Sequence, residues 1–125
     1  MKVSDVLSAD YISNEDKIKK AYFSTWVQTL KDTDILNPNV LLRAKANLYP
    51  SSPKLHEHGK HVDFTFKHKG FLFYINTNNG FTRLSDGTRI ESIENRALFF
   101  NSSLKHNSTN CTDQQVRINM NINYI

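Results

Sequence analysis

Apolar residues change their spacing once along this chain. Between Ser13 and Leu30, the residues Ile18, Tyr22, Trp26 and Leu30 recur at every fourth position, the period of a helix with one apolar stripe. Ser13 and Asp16 have the form of a capping pair ahead of it. An N-terminal helix packed on the outside of a sheet is predicted. Asn37-Pro38-Asn39 ends this region, because proline cannot continue a helix and asparagine favours turns. From Val40 onward the period is two, and strands are predicted.

In Leu42 to Tyr49, the residues Leu42, Ala44, Ala46 and Leu48 alternate with Arg43, Lys45, Asn47 and Tyr49, which gives one apolar and one polar face. His61 to Phe66 and Gly70 to Asn76 read as further strands, rich in Phe, Val and Ile. Asn78-Asn79-Gly80 and Asp86-Gly87 are turn signals that predict two successive hairpins, the second closing on a short strand around Arg89. Ala97 to Phe100, Leu104 to Ser108 and a long final segment complete about eight strands. The final segment alternates completely: Val116, Ile118, Met120, Ile122 and Tyr124 on one face, and Arg117, Asn119, Asn121 and Asn123 on the other. In a two-layer sheet that polar face looks at water; in a closed sandwich it lines a wet internal pocket with an arginine at its mouth.

The fold class expected is mainly β, a double-stranded β-helix or jelly roll over residues 40–125 with residues 1–39 as a helical buttress, all in one domain. The 125 residues suffice for one core. No apolar run is long enough to span a bilayer. Cys111 is the only cysteine, so no internal disulfide can form, in keeping with a cytoplasmic location. The sequons at Asn101, Asn107 and Asn110 are then plain loop residues. A net charge of +4 favours anionic partners only mildly and is more often just a solvated surface, so nucleic acid is an open but unfavoured partner.

Chemistry concentrates in HEHGKHVDF, residues 56–64. In a strand, His61 and Asp63 project from the same face and can share a metal ion. The pair is weak evidence alone, since a histidine two places from an acid arises readily by chance. A zinc-protease helix is excluded, because Lys60 stands where the second histidine belongs. A cupin-type site built from His56, His58 and His61 without redox turnover is a competing reading, against which stand Asp63 in place of the expected glutamate and the missing cupin glycines. A non-enzymatic structural module is a further alternative.

Read in order, Tyr49-Pro50, His61-Val62-Asp63, Tyr74-Ile75-Asn76, Asn79-Gly80, Asn95-Arg96, Phe99-Phe100, His106 and Arg117-Ile118-Asn119 resemble the Fe(II)- and 2-oxoglutarate-dependent oxygenases. Within them the chain is most similar to the prolyl-hydroxylase-like branch and its small phage-borne members, over about Val40 to Tyr124. The resemblance implies a jelly roll whose metal is held by His61, Asp63 and His106 as a facial triad, leaving positions for 2-oxoglutarate and O2. It implies that Arg117 binds the far carboxylate of 2-oxoglutarate through a bidentate fork, joined by Tyr74, while Asn119 bonds the cosubstrate or orients the arginine. It implies that Tyr49 and Asn47 line the pocket, and that His56 and His58 border the substrate entrance rather than ligate. Hydroxylation of an unactivated C–H bond, with release of succinate and CO2, is the implied activity; a peptidyl proline is the best single substrate, with other protein side chains, small molecules and nucleic-acid bases open. The demethylase branch usually carries a second arginine where this chain has Asn123. The prolyl-hydroxylase branch usually has more chain before its first core strand, so the expected scaffold is minimal.

Overall fold

A computed structural model describes residues 38–125. The predicted helix Ser13–Leu30 falls outside the described residues. Val40–Ile125 form one compact unit of seven strands: β1 (Leu41–Pro50), β2 (Lys69–Tyr74), β3 (Phe81–Arg83), β4 (Arg89–Glu91), β5 (Ala97–Phe100), β6 (Asn107–Ser108) and β7 (Val116–Tyr124). They make an antiparallel four-stranded sheet, ordered β1-β7-β2-β5, and a three-stranded sheet, ordered β4-β3-β6. After β2 the chain crosses to the smaller sheet for β3 and β4, returns for β5, crosses again for β6 and returns for β7. This alternation is the double-stranded β-helix anticipated from the period-two segments.

β7 is the axis of the larger sheet because it is long and can bury both faces. Its register sets Tyr49 opposite Arg117, Asn47 opposite Asn119, Lys45 opposite Asn121 and Arg43 opposite Asn123. Paired residues share a face, so the polar rows of β1 and β7 form one wall. On its other side, Tyr74 faces Asn119, Leu72 faces Asn121 and Gly70 faces Asn123. Arg117, Asn119, Asn121 and Asn123 are all buried, as are Met120 and Ile122 on the opposite face. The polar face of the last strand therefore lines the interior and does not meet water.

Three strand expectations are corrected. His61 to Phe66 is not a strand: it contains one isolated bridge, His61 to His106, followed by bends. A ladder needs a facing backbone, and the segment finds one only as far as His61. Phe64 and Phe66 stack on each other instead, with His68 edge-on to Phe64. Leu104 to Ser108 contracts to β6, preceded by the His106 bridge. Finally, Asn78-Asn79-Gly80 does not close a hairpin, since β2 pairs with β5 and β7 while β3 pairs with β4 and β6. Here the turn carries the chain between sheets. The second predicted hairpin forms, with Gly87 at a φ of 89° in its turn. No helix among the described residues is long and apolar enough to cross a membrane.

Candidate metal centre

Residues from three parts of the chain meet at one pocket, and the backbone explains how. The segment 57–61 runs beside β6 through the bridges Glu57 to Thr109 and His61 to His106. The second bridge exchanges both amide bonds, His61 N to His106 O at 2.9 Å and the reverse at 3.0 Å. Two histidines far apart in sequence thus become a directly opposed pair, with ring centroids 4.8 Å apart. Asp63, two residues on, turns inward, and its side chain is only 4% exposed.

His61, Asp63 and His106 each offer one ligand atom, and these atoms lie within 4.8 Å of one another. The His61 Nε2 stands 3.6 Å from one Asp63 oxygen, and the His106 Nε2 3.9 Å from the other. Those separations exceed a hydrogen bond and suit ligands that share an ion rather than each other. On the far side of the rings, His106 Nδ1 faces the Leu104 carbonyl at 2.9 Å and His61 Nδ1 faces that of Gly59 at 3.3 Å. Each contact makes Nδ1 the protonated nitrogen and leaves an Nε2 lone pair toward Asp63. The donor set, two imidazoles and one carboxylate with no thiolate, fits a divalent iron-type ion.

Electrostatics prepare the same three groups. Burial pushes His106 below the ordinary imidazole range, outweighing the Leu104 carbonyl and Asp63, which act the other way. The ring is therefore neutral and able to ligate at neutral pH. Burial raises Asp63, but the Asn123 and Asn121 amides, His106 and Arg43 outweigh it and hold the carboxyl below its usual range. Asn123 Nδ2 donates to Asp63 Oδ2 at 2.7 Å and Asn121 Nδ2 at 3.4 Å, while Arg43 lies 3.2 Å from Oδ1 and also donates to Asn123 Oδ1. Phe100 packs edge-on to His106, in space left by Gly70, where a Cβ would meet the Phe100 ring at 2.6 Å.

Arg117 lies at the other end of the polar wall, fully buried. Its guanidinium donates to the hydroxyls of Ser92 (2.8 Å), Ser108 (2.6 Å) and Thr82 (3.3 Å) and to the Thr109 carbonyl (3.1 Å). No carboxylate among the described residues pairs with it. Burial pushes its pKa down against the opposing influence of Tyr74, Tyr49 and Cys111. Tyr74 is also fully buried, and its hydroxyl donates to Thr82 Oγ1 at 2.8 Å. Thr82 and Ser108, which touch the arginine, line the same pocket as His61, Asp63 and His106. A buried cation among hydroxyls, without an acidic partner, suits a carboxylate.

Of the other residues singled out in the sequence, Asn47 donates to Asn119 at 2.9 Å, and both line the pocket with Tyr49. The Arg117 guanidinium lies 5.3 Å from the Tyr49 ring centre. His56 and His58 are exposed and are not among the converging ligand atoms; His58 packs against Tyr49 instead. Sequence reasoning missed Thr82, Ser92 and Ser108, three small hydroxyls with no spacing signal. Asn107, read as a plain loop sequon but also within the predicted strand Leu104 to Ser108, is buried in β6 beside His106.

No family model matches the chain, and no curated protein matches it. Among solved structures, a prolyl-4-hydroxylase from Pseudomonas putida is similar over 97% of this chain and 76% of its own, at 12% identity and a TM-score of 0.55. A truncated form of the viral collagen prolyl hydroxylase from Paramecium Bursaria Chlorella virus-1 is similar over 98% and 82%, at 10% identity and a TM-score of 0.51. A cupin protein from Bacteroides fragilis is similar over 76% and 72%, at 17% identity and a TM-score of 0.47. At these identities the likeness is one of fold: the chain shares the jelly-roll architecture found in prolyl hydroxylases.

Proposed function

We propose that the chain is an Fe(II)- and 2-oxoglutarate-dependent oxygenase of the prolyl-hydroxylase-like branch, akin to its small phage-borne members, that hydroxylates an unactivated C–H bond. The observation that carries this reading is that the pocket holding a two-histidine, one-carboxylate cluster is also lined by Thr82 and Ser108, the hydroxyls bonded to a buried guanidinium that has no acidic partner among the described residues. A metal-binding jelly roll without redox turnover accounts for the first feature but not for the second.

In this reading His61, Asp63 and His106 hold the iron, with Asn123, Asn121 and Arg43 keeping Asp63 ionised and oriented. Arg117 receives the far carboxylate of the cosubstrate together with Thr82 and Ser108, while Tyr74 fixes the Thr82 hydroxyl. The Asn47–Asn119 pair lies between these two ends of the wall. Leu72 and Phe100 are the apolar lining, which limits water at the metal. Bound iron and 2-oxoglutarate, with O2, supply oxidative decarboxylation coupled to C–H hydroxylation, with release of succinate and CO2. A peptidyl proline is the leading substrate.

The test uses anaerobic protein with Fe(II) and 2-oxoglutarate. The expected outcome is a weak visible charge-transfer band that needs both additions, vanishes in His106→Ala and is followed by succinate once oxygen is admitted. Folded, iron-loaded protein that gives no band sinks the proposal and leaves a non-redox metal site in its place.

A further inference from the structure

The two stretches that carry the metal-site histidines do not pair evenly. Between the bridges Glu57 to Thr109 and His61 to His106, the chain advances four residues on the first side and three on the other. One residue is extra, so segment 57–61 bulges against β6. A bulge bends the strand that holds it and re-aims the side chains beyond, and His61 stands at its end. The His61 side chain is 54% exposed, so packing alone does not aim it at Asp63. Its direction is set by the backbone beneath it.

A bulge also leaves ladder groups unpaired, and one side chain meets that need. The His58 carbonyl receives no backbone amide among the described residues; it accepts instead from Asn107 Nδ2 at 2.9 Å. The same Nδ2 also donates to Glu57 Oε1 at 3.0 Å. Asn107 is 3% exposed and directly follows His106, so it ties the bulge to the strand that presents the second histidine. Its own Oδ1 has no donor among the described residues. An apolar residue of similar size would avoid that burial cost, so what asparagine contributes here is its two donors. From outside, Arg83 of β3, opposite Asn107 in the register, closes on the same carboxylate. It donates from Nε to Glu57 Oε1 at 2.5 Å and from Nη2 to Oε2 at 3.3 Å. An exposed ion pair fixes little by itself; here it holds Glu57 in place for the buried amide.

We propose that Asn107 is a positioning residue of the metal site: its amide sutures the bulge at His58, with Glu57 and Arg83 as an outer clasp, and so fixes the direction of His61 relative to His106 and Asp63. This inference rests on the metal site of the oxygenase reading and on no step of its chemistry. Asn107 offers no ligand atom to the cluster.

The test compares unaltered protein, Asn107→Leu and Glu57→Ala by amide hydrogen exchange without metal and by Mn(II) binding. In Asn107→Leu the amides of His61 and His106, which bond each other's carbonyls, are expected to exchange about tenfold faster or more, while the Ile75 amide, bonded to the Ile118 carbonyl in the large sheet, keeps its rate. Mn(II) affinity is expected to fall by about 10- to 100-fold, the usual cost of losing a group that orients a ligand. Glu57→Ala is expected to move both readouts the same way but by less, because Asn107 keeps the His58 carbonyl. Unchanged Mn(II) affinity in folded Asn107→Leu overturns the proposal. So does equal acceleration at His61, His106 and Ile75, which would make Asn107 a general prop of the fold. If Asn107→Leu does not fold, two measurements still decide. Unaltered exchange at His61 and His106 in Glu57→Ala overturns the proposal, and so does an Asn107 side-chain NH2 that exchanges, in unaltered protein, as fast as that of the exposed Asn101. Failure of the metal reading shows separately, as Mn(II) binding that ignores His61→Ala; the exchange rates of the metal-free protein do not depend on it.

Discussion

His61 and His106 oppose each other across an antiparallel bridge, each accepting the other's amide proton, with ring centroids 4.8 Å apart. A metal site built on such a pair inherits the precision of sheet register. His61→Ala and His106→Ala are each expected to weaken binding of Mn(II), a spectroscopically convenient stand-in, by more than about 100-fold. His56→Ala, which removes an exposed side chain outside the cluster, is expected to leave it unchanged. Equal loss in His56→Ala and His61→Ala measured by electron paramagnetic resonance would move the ligand set to the histidines of segment 56–61.

Asn123 is the principal support of Asp63, at 2.7 Å, and also accepts from Arg43 and donates to Ser102. Asn123→Ala takes the strongest amide donor from a buried carboxylate. Metal affinity is expected to fall by roughly 10- to 100-fold, and stability by about 1–3 kcal/mol. Isothermal titration with Mn(II) and urea unfolding measure the two separately. Unchanged metal affinity would assign Asn123 to packing alone.

How much of this was legible beforehand follows from which interactions are local. β1 and β7 were readable because their alternation spans whole strands, and a period of two is a property of the backbone itself. The choice between water and interior for the Asn row was not readable, since it depends on the second sheet covering that face. His61 and Asp63 were visible as a spaced pair, yet the strand inferred around them was wrong: the bridge to His106 and the inward turn of Asp63 bring the ligands together. Thr82, Ser92 and Ser108 gain meaning only by surrounding Arg117, and nothing in their own neighbourhoods marks them.

For Arg117 the guanidinium geometry matters as well as its charge. Arg117→Lys keeps a cation but cannot reproduce the fork that reaches Ser92, Ser108 and Thr82 together. In the oxygenase reading, 2-oxoglutarate affinity is expected to drop roughly tenfold in Arg117→Lys and by about 100-fold or more in Arg117→Gln, with Mn(II) affinity retained in both. Titration of the Mn(II)-loaded variants checks this. Unaltered cosubstrate binding in Arg117→Gln would remove the role assigned to it.

His58 is connected to the buried arginine through Tyr49, whose ring centre lies 5.4 Å from that of His58 and 5.3 Å from the Arg117 guanidinium. Although His58 is exposed, its pKa is lowered from the ordinary imidazole value, first by partial desolvation of the ring and then by the charges of Arg117, His56 and His61. A folded-state pKa below that of the unfolded chain means the unfolded chain takes up the proton first as pH falls. The stability His58 contributes is thus complete above about 6.5, the ordinary histidine value, and is lost as pH drops through the lower folded value. An NMR titration of the metal-free protein is expected to give a midpoint below the ordinary value. Arg117→Gln is expected to move that midpoint upward. A midpoint that does not respond would show that the Arg117 charge is screened from His58.

Gly80 shapes the arginine's enclosure by having no side chain. A Cβ there would meet the Asn110 backbone carbonyl, the Arg117 Cδ at 2.5 Å and the Asn78 Oδ1 at 2.8 Å. The flexible Arg117 side chain can yield, but the carbonyl cannot without moving the turn. That turn is pinned on both sides, by Asn78 Oδ1 accepting from the Gly80 amide and by the Ser92 amide donating to the Gly80 carbonyl. Gly80→Ala is therefore expected to destabilise the fold by about 1–3 kcal/mol, as overpacking does, and to swing Arg117 away from Ser92. Ser92 and Arg117 are joined by a 2.8 Å bond, so in the oxygenase reading the displacement should appear as weaker 2-oxoglutarate binding at undiminished Mn(II) affinity. Cosubstrate binding as tight as in the unaltered protein, alongside the stability loss, would mean that Gly80 serves the turn and not the arginine.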